Sequence, residues 1–249
     1  MVDSQAVRFP SGEYDAPQCL QAAGVLIPAD PSVITPAIQA AILENRFETA
    51  EAAQIAGIVE PGDRVVEIGA GIGFISTLLS RERRVASVLA VEANPYLIGY
   101  MARLHARNNV RKVRRLNAVL DNAATPGVAT FYLRHDFWMG SLMPGPNPYV
   151  GAIDVPTRNL SALLREEGAS LVVCDVEGAE TFLFDGADLG GVDRVYLEVH
   201  EHVTGLTGVG RVFATLAAQG FVYDPLHSCG SVVLFRRPRV PDIPRPYRG

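Results

Sequence analysis

Arg64-Val65-Val66-Glu67-Ile68-Gly69-Ala70-Gly71-Ile72-Gly73-Phe74 is the stretch that decides the fold. Branched apolar residues run into three alternate glycines. This reads as a buried parallel strand whose tip passes close beneath a ligand, followed by a helix over 74–79. Just before it, Pro61-Gly62-Asp63 makes the turn into the strand, and after it strands and helices alternate. That alternation predicts an α/β fold with a parallel sheet covered on both faces. A second strand is expected over 86–92, and Asn94-Pro95 opens a helix reaching about 109, with Asn94 as its cap. A third strand follows at 113–119 and an additional one at 128–133. Further on come a short helix at 159–166, apolar strands at 170–175 and 193–200, an amphipathic helix at 205–219, and a closing pair at 221–223 and 231–235.

Toward the N-terminus, residues 1–33 are rich in Pro, Gly and Asp and read as an irregular arm. Thr35-Pro36 then offers a cap and a first-turn proline for a helix, and a second helix follows over 48–56. The segment 135–150 has no period and carries Trp138, two Met and Ser141, so it is expected as a loop over the site. From 236 to 249 the chain alternates Arg and Pro, and there are no internal repeats.

The 249 residues suit one domain, and a net charge of -5 argues against a nucleic-acid surface. Cys19, Cys174 and Cys229 are scattered, which suggests neither a disulfide framework nor a thiolate metal site. Residues 1–12 hold no signal-type apolar run and no window has the length of a membrane span, so a soluble, cytoplasmic protein is expected.

Open parallel sheets bind ligands at the carboxyl ends of their strands, and those ends carry the chemistry here. Gly69, Ala70, Gly71 and Gly73 form a tight turn that lets a ligand lie against backbone near a helix N-terminus. Glu92, followed by Ala93, stands about 20 residues on at the tip of the next strand, where a carboxylate accepts the ribose hydroxyls of an adenosine. A dinucleotide fingerprint needs its third glycine one position after Gly73, where this chain has Phe74. With Glu67 ahead of the turn, the spacing instead suits a cofactor with an amino acid and no pyrophosphate, Glu67 meeting its ammonium. That points to S-adenosylmethionine.

The fourth strand end, Val172-Val173-Cys174-Asp175-Val176-Glu177-Gly178-Ala179-Glu180, carries three acids in six residues. Acids after a buried strand need cations or hydrogen bonds. A sulfonium beside Asp175 is one partner, and a substrate hydroxyl losing its proton to Asp175 is another. The next strand ends Leu197-Glu198-Val199-His200-Glu201-His202. If the strand persists, a period of two puts Glu198, His200 and His202 on one side, facing Asp175 and Glu177. Asp175, Glu177, Glu198 and His200 are an oxygen-rich set fit for magnesium, but no tight spacing compels it, and no metal is expected. His135, Trp138, Met139 and Ser141 in the aperiodic loop are candidates to cover the acceptor, while His105 reads as packing within its helix.

Motif by motif, the chain resembles the class I S-adenosylmethionine-dependent methyltransferases, and specifically the FkbM family. Pro61-Gly62-Asp63 leads into EIGAGIGF, with VEANP at 91–95, DVEGAE at 175–180 and LEVH at 197–200. DVEGAE is the most specific of these. The resemblance covers about residues 45–236. It implies a methyltransferase domain over 46–236, flanked by an N-terminal arm and cap helix at 1–45 and an Arg/Pro-rich tail at 237–249. The implied fold is a Rossmann-like, mostly parallel seven-stranded sheet with an antiparallel last strand. The resemblance also implies that Glu67, Gly69, Gly71 and Glu92 bind the cofactor and that Asn117 or Ala118 lies near the adenine. Asp175, Glu177, Glu180, Glu198 and His200 then build the methyl-transfer side. This chain departs from the family with Glu67 in place of Asp, Gly71 where Asn is common, and no Lys near Cys174, which bears on substrate orientation.

The activity implied is O-methylation of a hydroxyl on a sugar or natural product, with Asp175 or His200 taking the proton. The expected partner is a small-molecule or glycan acceptor, with no nucleic acid and no membrane, and the N-terminal arm offers a surface for a homo-oligomer. N-methylation on the same fold is the nearest alternative. An NAD-dependent dehydrogenase is disfavoured by Phe74 and the acids at Asp175, and a non-catalytic binding protein by the full set of strand-end residues.

Overall fold

The computed structural model describes residues 19–238; the readings of 1–18 and of the Arg/Pro run from 239 lie outside the described residues. The described chain opens with a hairpin, β1 (Cys19–Ala22) and β2 (Val25–Pro28), where an irregular arm was expected. Ala23 and Gly24 both take positive φ, 43° and 75°, which gives a two-residue turn the twist of its strands. An alanine does not advertise that conformation. Val25 and Ile27 are fully buried, and Asn108 exchanges hydrogen bonds with the Leu26 backbone at 2.9 and 2.7 Å. The hairpin is therefore docked on the domain.

Helix α1 (Pro36–Leu43) is capped as expected, Thr35 Oγ1 accepting from the Ile38 N–H, and α2 (Thr49–Ile58) follows. The alternating core is β3 (Asp63–Ile68), α3 (Phe74–Arg81), β4 (Val85–Glu92), α4 (Pro95–Arg107) and β5 (Val113–Asn117). Asn94 caps α4 through the Tyr96 N–H at 3.1 Å. The third strand is shorter than expected. At Ala118 the chain leaves the main sheet, and β6 (Val119–Asp121) joins β7 (Val128–Leu133) and β8 (Gly151–Asn159) in a separate sheet ordered β6-β8-β7. Strand β8 was not foreseen, because Pro156 argues against a central strand. It is tolerated because β6 pairs with β8 only from Thr157 onward.

Asn159 caps α5 (Leu160–Glu167) through the Ala162 N–H. After β9 (Leu171–Cys174), the DVEGAE segment turns into a single helical turn, α6 (Glu180–Leu183), which the sequence reading did not contain. Strand β10 (Arg194–Glu198) ends two residues earlier than expected. His200 instead occupies the N-cap of α7 (Glu201–Ala218), and His202 lies in its first turn, so the period-of-two argument does not hold for these histidines. Gly205 interrupts α7 with φ 67° and ψ 173°. The chain closes with β11 (Val222–Cys229) antiparallel to β12 (Val232–Arg236).

The main sheet has the order β11-β12-β10-β9-β3-β4-β5. β12 is antiparallel to both its neighbours, while β3, β4, β5, β9 and β10 pair in parallel. This is the Rossmann-like methyltransferase fold with an antiparallel last strand. Alternate residues feed two apolar layers: Val65, Val173 and Tyr196 pack with α1 to α4, while Val66, Val172 and Val195 pack with α5 to α7. At the N-terminal edge, Arg194 crosses to Asp63 at 2.6 and 3.0 Å, with both side chains 3 % exposed. That pair anchors β10 to the start of β3, leaving the opposite strand ends free to form the site. Among the described residues no helix is long and apolar enough to cross a membrane.

Candidate functional site

The glycine turn is shaped by its neighbours. The Asp175 N–H donates to the Ile68 carbonyl at 2.9 Å, and this brings the ends of β9 and β3 together. A Cβ at Gly69, whose φ is +82°, would stand 1.6 Å from the Asp175 carbonyl oxygen, so only glycine fits. Gly71 donates its N–H to Glu92 Oε2 and Asn94 donates its own to Glu92 Oε1, each at 2.7 Å. Glu92 thus fixes the turn, and its remaining lone pairs face the cleft that it lines. Gly73 serves packing instead: a Cβ there would meet Met101 and His105 at 2.5 and 2.6 Å. His105 is buried as expected, 3.1 Å from the Ser76 hydroxyl, and burial pushes its pKa down to about 4.

Beside the turn lies a cleft open to solvent, of about 800 Å³ with its mouth included. Its wall includes Gly71, Glu92, Ala93, Leu97, Ala118 and Phe131. Asn117, a candidate for the adenine, is turned away, its amide donating to the Glu92 and Ala93 carbonyls at 2.8 and 2.9 Å. It pins the tip of β4, and Ala118 borders the cleft instead. A second cleft opens on the other side of the turn, bordered by Glu67, Ala70, Asp175 and Glu198. Glu67 is 3 % exposed; Oε1 accepts from the Ser76 N–H, whereas Oε2 is buried with no hydrogen-bond partner. Burial pushes its pKa up to about 8. The same cause lifts Glu92 to about 7.

Asp175, Glu177, Glu198 and His200 do come together, although not through a continuing strand. His200 is 3 % exposed, and Glu180 Oε1 accepts from its backbone N–H at 2.9 Å and lies 3.2 Å from Nδ1. Its Nε2 stands 3.3 Å from Asp175 Oδ1 and 3.7 Å from Glu177 Oε1. Burial favours the neutral ring, but Asp175 and Glu180 outweigh it and push the pKa up to about 11. His200 is therefore an imidazolium at neutral pH and has no lone pair with which to take a proton, contrary to one of the two roles expected of it. Burial raises Glu180 too, yet its hydrogen bonds from His200 leave the carboxyl below the ordinary range. Glu177 is pushed up to about 8 by burial and then by Asp175, and it holds an unusual φ of 51°. Glu198 Oε1 accepts from the Ser231 hydroxyl at 2.9 Å.

Residues from α2 complete this side and were missed from sequence. Glu48, with φ 45°, and Glu51 border the second cleft, and burial lifts Glu51 to about 7. Two acids opening a helix are ordinary in sequence, so only the fold exposes their position. The loop over the site is real. Trp138 borders the first cleft and stacks on Phe47 with centroids 6.2 Å apart. Ser141 is buried and donates its hydroxyl proton to the Glu177 carbonyl at 2.7 Å, so it ties the loop to the acid segment rather than facing an acceptor. His135 is exposed and borders none of these clefts, which removes the reason for assigning it to the acceptor.

The donor set is compatible with S-adenosylmethionine: Glu67 Oε2 is a buried acceptor with no partner that an ammonium would satisfy, and Glu92 and Ala118 border a cleft that would take a ribose and an adenine. Residues 40–124 match a family model described as the TRM5/TYW2 methyltransferase domain, which spans the cofactor half of the sheet and ends before the acid segment. Among curated proteins there is no significant match. A solved structure of Trm5b from Pyrococcus abyssi is similar at 14% identity and a TM-score of 0.51, covering 91% of this chain and 57% of that one. A transferase from Pyrococcus horikoshii aligns at 16% identity and a TM-score of 0.50, over 90% and 72% of the two chains. TYW2 from M. jannaschii in complex with AdoMet gives 16% identity and a TM-score of 0.48, over 92% and 90%. This chain thus spans just over half the length of the Trm5b chain.

These findings correct two expectations. The matched model is TRM5/TYW2, not FkbM. The exclusion of nucleic acid is also overturned, since the similarities point to tRNA methyltransferases. Net charge is an average over an uneven chain: residues 93–120 contain Arg103, Arg107, Arg111, Lys112, Arg114 and Arg115 and no acid, and Arg103 and Arg114 are paired with Asp30 and Glu167 from outside the run. With the fold, the turn and the matched cofactor half in agreement, the chain has the class I S-adenosylmethionine-dependent methyltransferase fold.

Proposed function

We propose that the chain transfers the methyl group to a hydroxyl acceptor, and that the acceptor's proton passes to Asp175. The observation that carries this reading is the Asp175–Glu177–Glu198 carboxylate group gathered beside the glycine turn, with Nε2 of the His200 imidazolium 3.3 Å from Asp175 Oδ1. An alcohol must lose a proton as it is methylated, and a positioned carboxylate assists that loss by about 10²–10⁴-fold. When bound, S-adenosylmethionine supplies a methyl group on a sulfonium. In the proposed arrangement Glu67 holds the ammonium, Glu92 the ribose, and Ala118 with Phe131 encloses the adenine. Asp175 borders both clefts, between the Glu67 and Glu92 ends of the proposed cofactor site. Trp138 and Phe47 shield the junction from water, and Ser141 keeps the loop seated. Residues 46–236 are the proposed functional unit.

A second reading, an RNA acceptor, is favoured by the TRM5/TYW2 match together with the acid-free basic run over 93–120. Labelled S-adenosylmethionine incubated with the protein and a host extract separates the two. Label in the small-molecule or glycan fraction, lost in Asp175→Asn, supports the first reading. Label in RNA supports the second, and no labelled product from any fraction contradicts both.

A further inference from the structure

We propose that Asp175, Glu198 and His200 form a divalent-metal site on the acceptor side of the glycine turn, with manganese the best-suited ion. One ligand atom from each of these residues lies within 4.8 Å of the other two. Bonds of about 2.1–2.6 Å keep any two ligands of one such ion within about 5 Å of each other, so the three residues are close enough to share one ion after local adjustment. An acidic cluster alone would not carry this inference. What distinguishes the site is how its histidine is held. His200 is 97% enclosed by the fold, being 3 % exposed, and its Nδ1 faces Glu180, itself 1 % exposed. Glu180 is fixed in turn by the Gly178 N–H at 2.8 Å and the His200 N–H at 2.9 Å. A buried carboxylate behind the far ring nitrogen is the outer-shell arrangement that orients metal-bound imidazoles.

The near nitrogen, Nε2, makes no aligned hydrogen bond and points at carboxylate oxygens 3.3 and 3.7 Å away. Asp175 Oδ1 is likewise buried and has no hydrogen-bond partner. Two ligand atoms thus converge on one point, and the Nε2 proton that the surrounding carboxylates hold there is displaced when an ion enters. Imidazole suits the later first-row ions and carboxylate suits magnesium, calcium and manganese; a mixed set with more oxygen than nitrogen favours manganese. The cleft shared with Glu48 and Glu51 leaves room on the ion for water or an acceptor hydroxyl. The site is independent of which acceptor is methylated.

The test is direct titration of the full chain with Mn²⁺, followed by calorimetry and electron paramagnetic resonance, without cofactor or acceptor. The expected result is one saturable site, weakened at least tenfold in Glu198→Gln and in Asp175→Asn, with a ¹⁴N coupling from imidazole in the pulsed spectrum. Glu198 is half-buried, so its replacement should leave the fold intact, and thermal unfolding of the variant checks this. His200→Gln should abolish the ¹⁴N coupling. No saturable binding up to millimolar Mn²⁺, binding indifferent to Glu198→Gln, or a wild-type spectrum without ¹⁴N coupling would each overturn the assignment.

Discussion

Gly69 and Asp175 meet backbone to backbone, so closely that a methyl group on Gly69 would stand 1.6 Å from the Asp175 carbonyl oxygen. This contact locks the cofactor turn to the acid segment. Gly69→Ala forces apart two paired strand ends and strains a φ of +82°. We expect it to cost more than about 2 kcal/mol of stability. Cofactor affinity should fall at least tenfold, as read by thermal unfolding and calorimetry. An alanine variant with unchanged stability and affinity would show that the strand ends are not coupled.

Glu67 makes stability depend on pH with a defined sign. Its carboxyl titrates near 4.5 when unfolded and is raised by burial to about 8 when folded. Between these values the folded state keeps a proton that the unfolded state has lost, so stability falls as pH rises through this window, by at most about 1.4 kcal/mol per unit. Glu92, raised to about 7, adds a slope of the same sign. Glu67→Gln should flatten the curve between pH 5 and 8 in denaturant titrations. Cofactor affinity should run the opposite way and strengthen as pH approaches 8, because the ammonium pairs with the ionised form.

Ser141 acts through the Glu177 backbone. Ser141→Ala removes the 2.7 Å bond that seats the loop and leaves the Glu177 carbonyl without that donor. The expected loss is about 1–3 kcal/mol, expressed as a lower kcat/KM with cofactor affinity little changed. Steady-state kinetics on the acceptor, once it is identified, and cofactor calorimetry check this split.

The Arg194–Asp63 pair is buried on both sides. Removing one partner, as in Asp63→Ala, should cost about 3–5 kcal/mol, because the buried guanidinium is left with only the Ile58 carbonyl and Glu60, 3.9 Å away. Replacing both with apolar residues of similar volume should recover much of that loss. Urea denaturation of the single and double variants decides the matter.

Much of this was legible in the sequence because strand and helix periods are local. The turn at Gly69 to Gly73, the caps at Thr35 and Asn94, and the acids of DVEGAE all follow from short-range chemistry. What was hidden depends on packing between distant segments. The hairpin turns on an alanine at positive φ, β8 runs through a proline, and Glu48 and Glu51 reach the site only because α2 lies across the strand ends. Asn117 had the right position but the wrong direction, since its amide was needed to satisfy two carbonyls. The role of His200 changed for an electrostatic reason: three carboxylates around one ring stabilise its charged form. Net charge is a weak guide to partners because it averages an acidic cleft with a run of sequence, 93–120, that holds no acid.

The account rests on the glycine turn and Glu67 holding S-adenosylmethionine, and equilibrium binding to the full chain tests that most directly. Calorimetry should show one site with a dissociation constant between about 1 µM and 1 mM, the range in which enzymes hold their small molecules. The site should be at least tenfold weaker in Glu67→Gln and show no comparable heat with a nicotinamide dinucleotide. Absence of binding by S-adenosylmethionine, or binding that Glu67→Gln leaves unchanged, would contradict it.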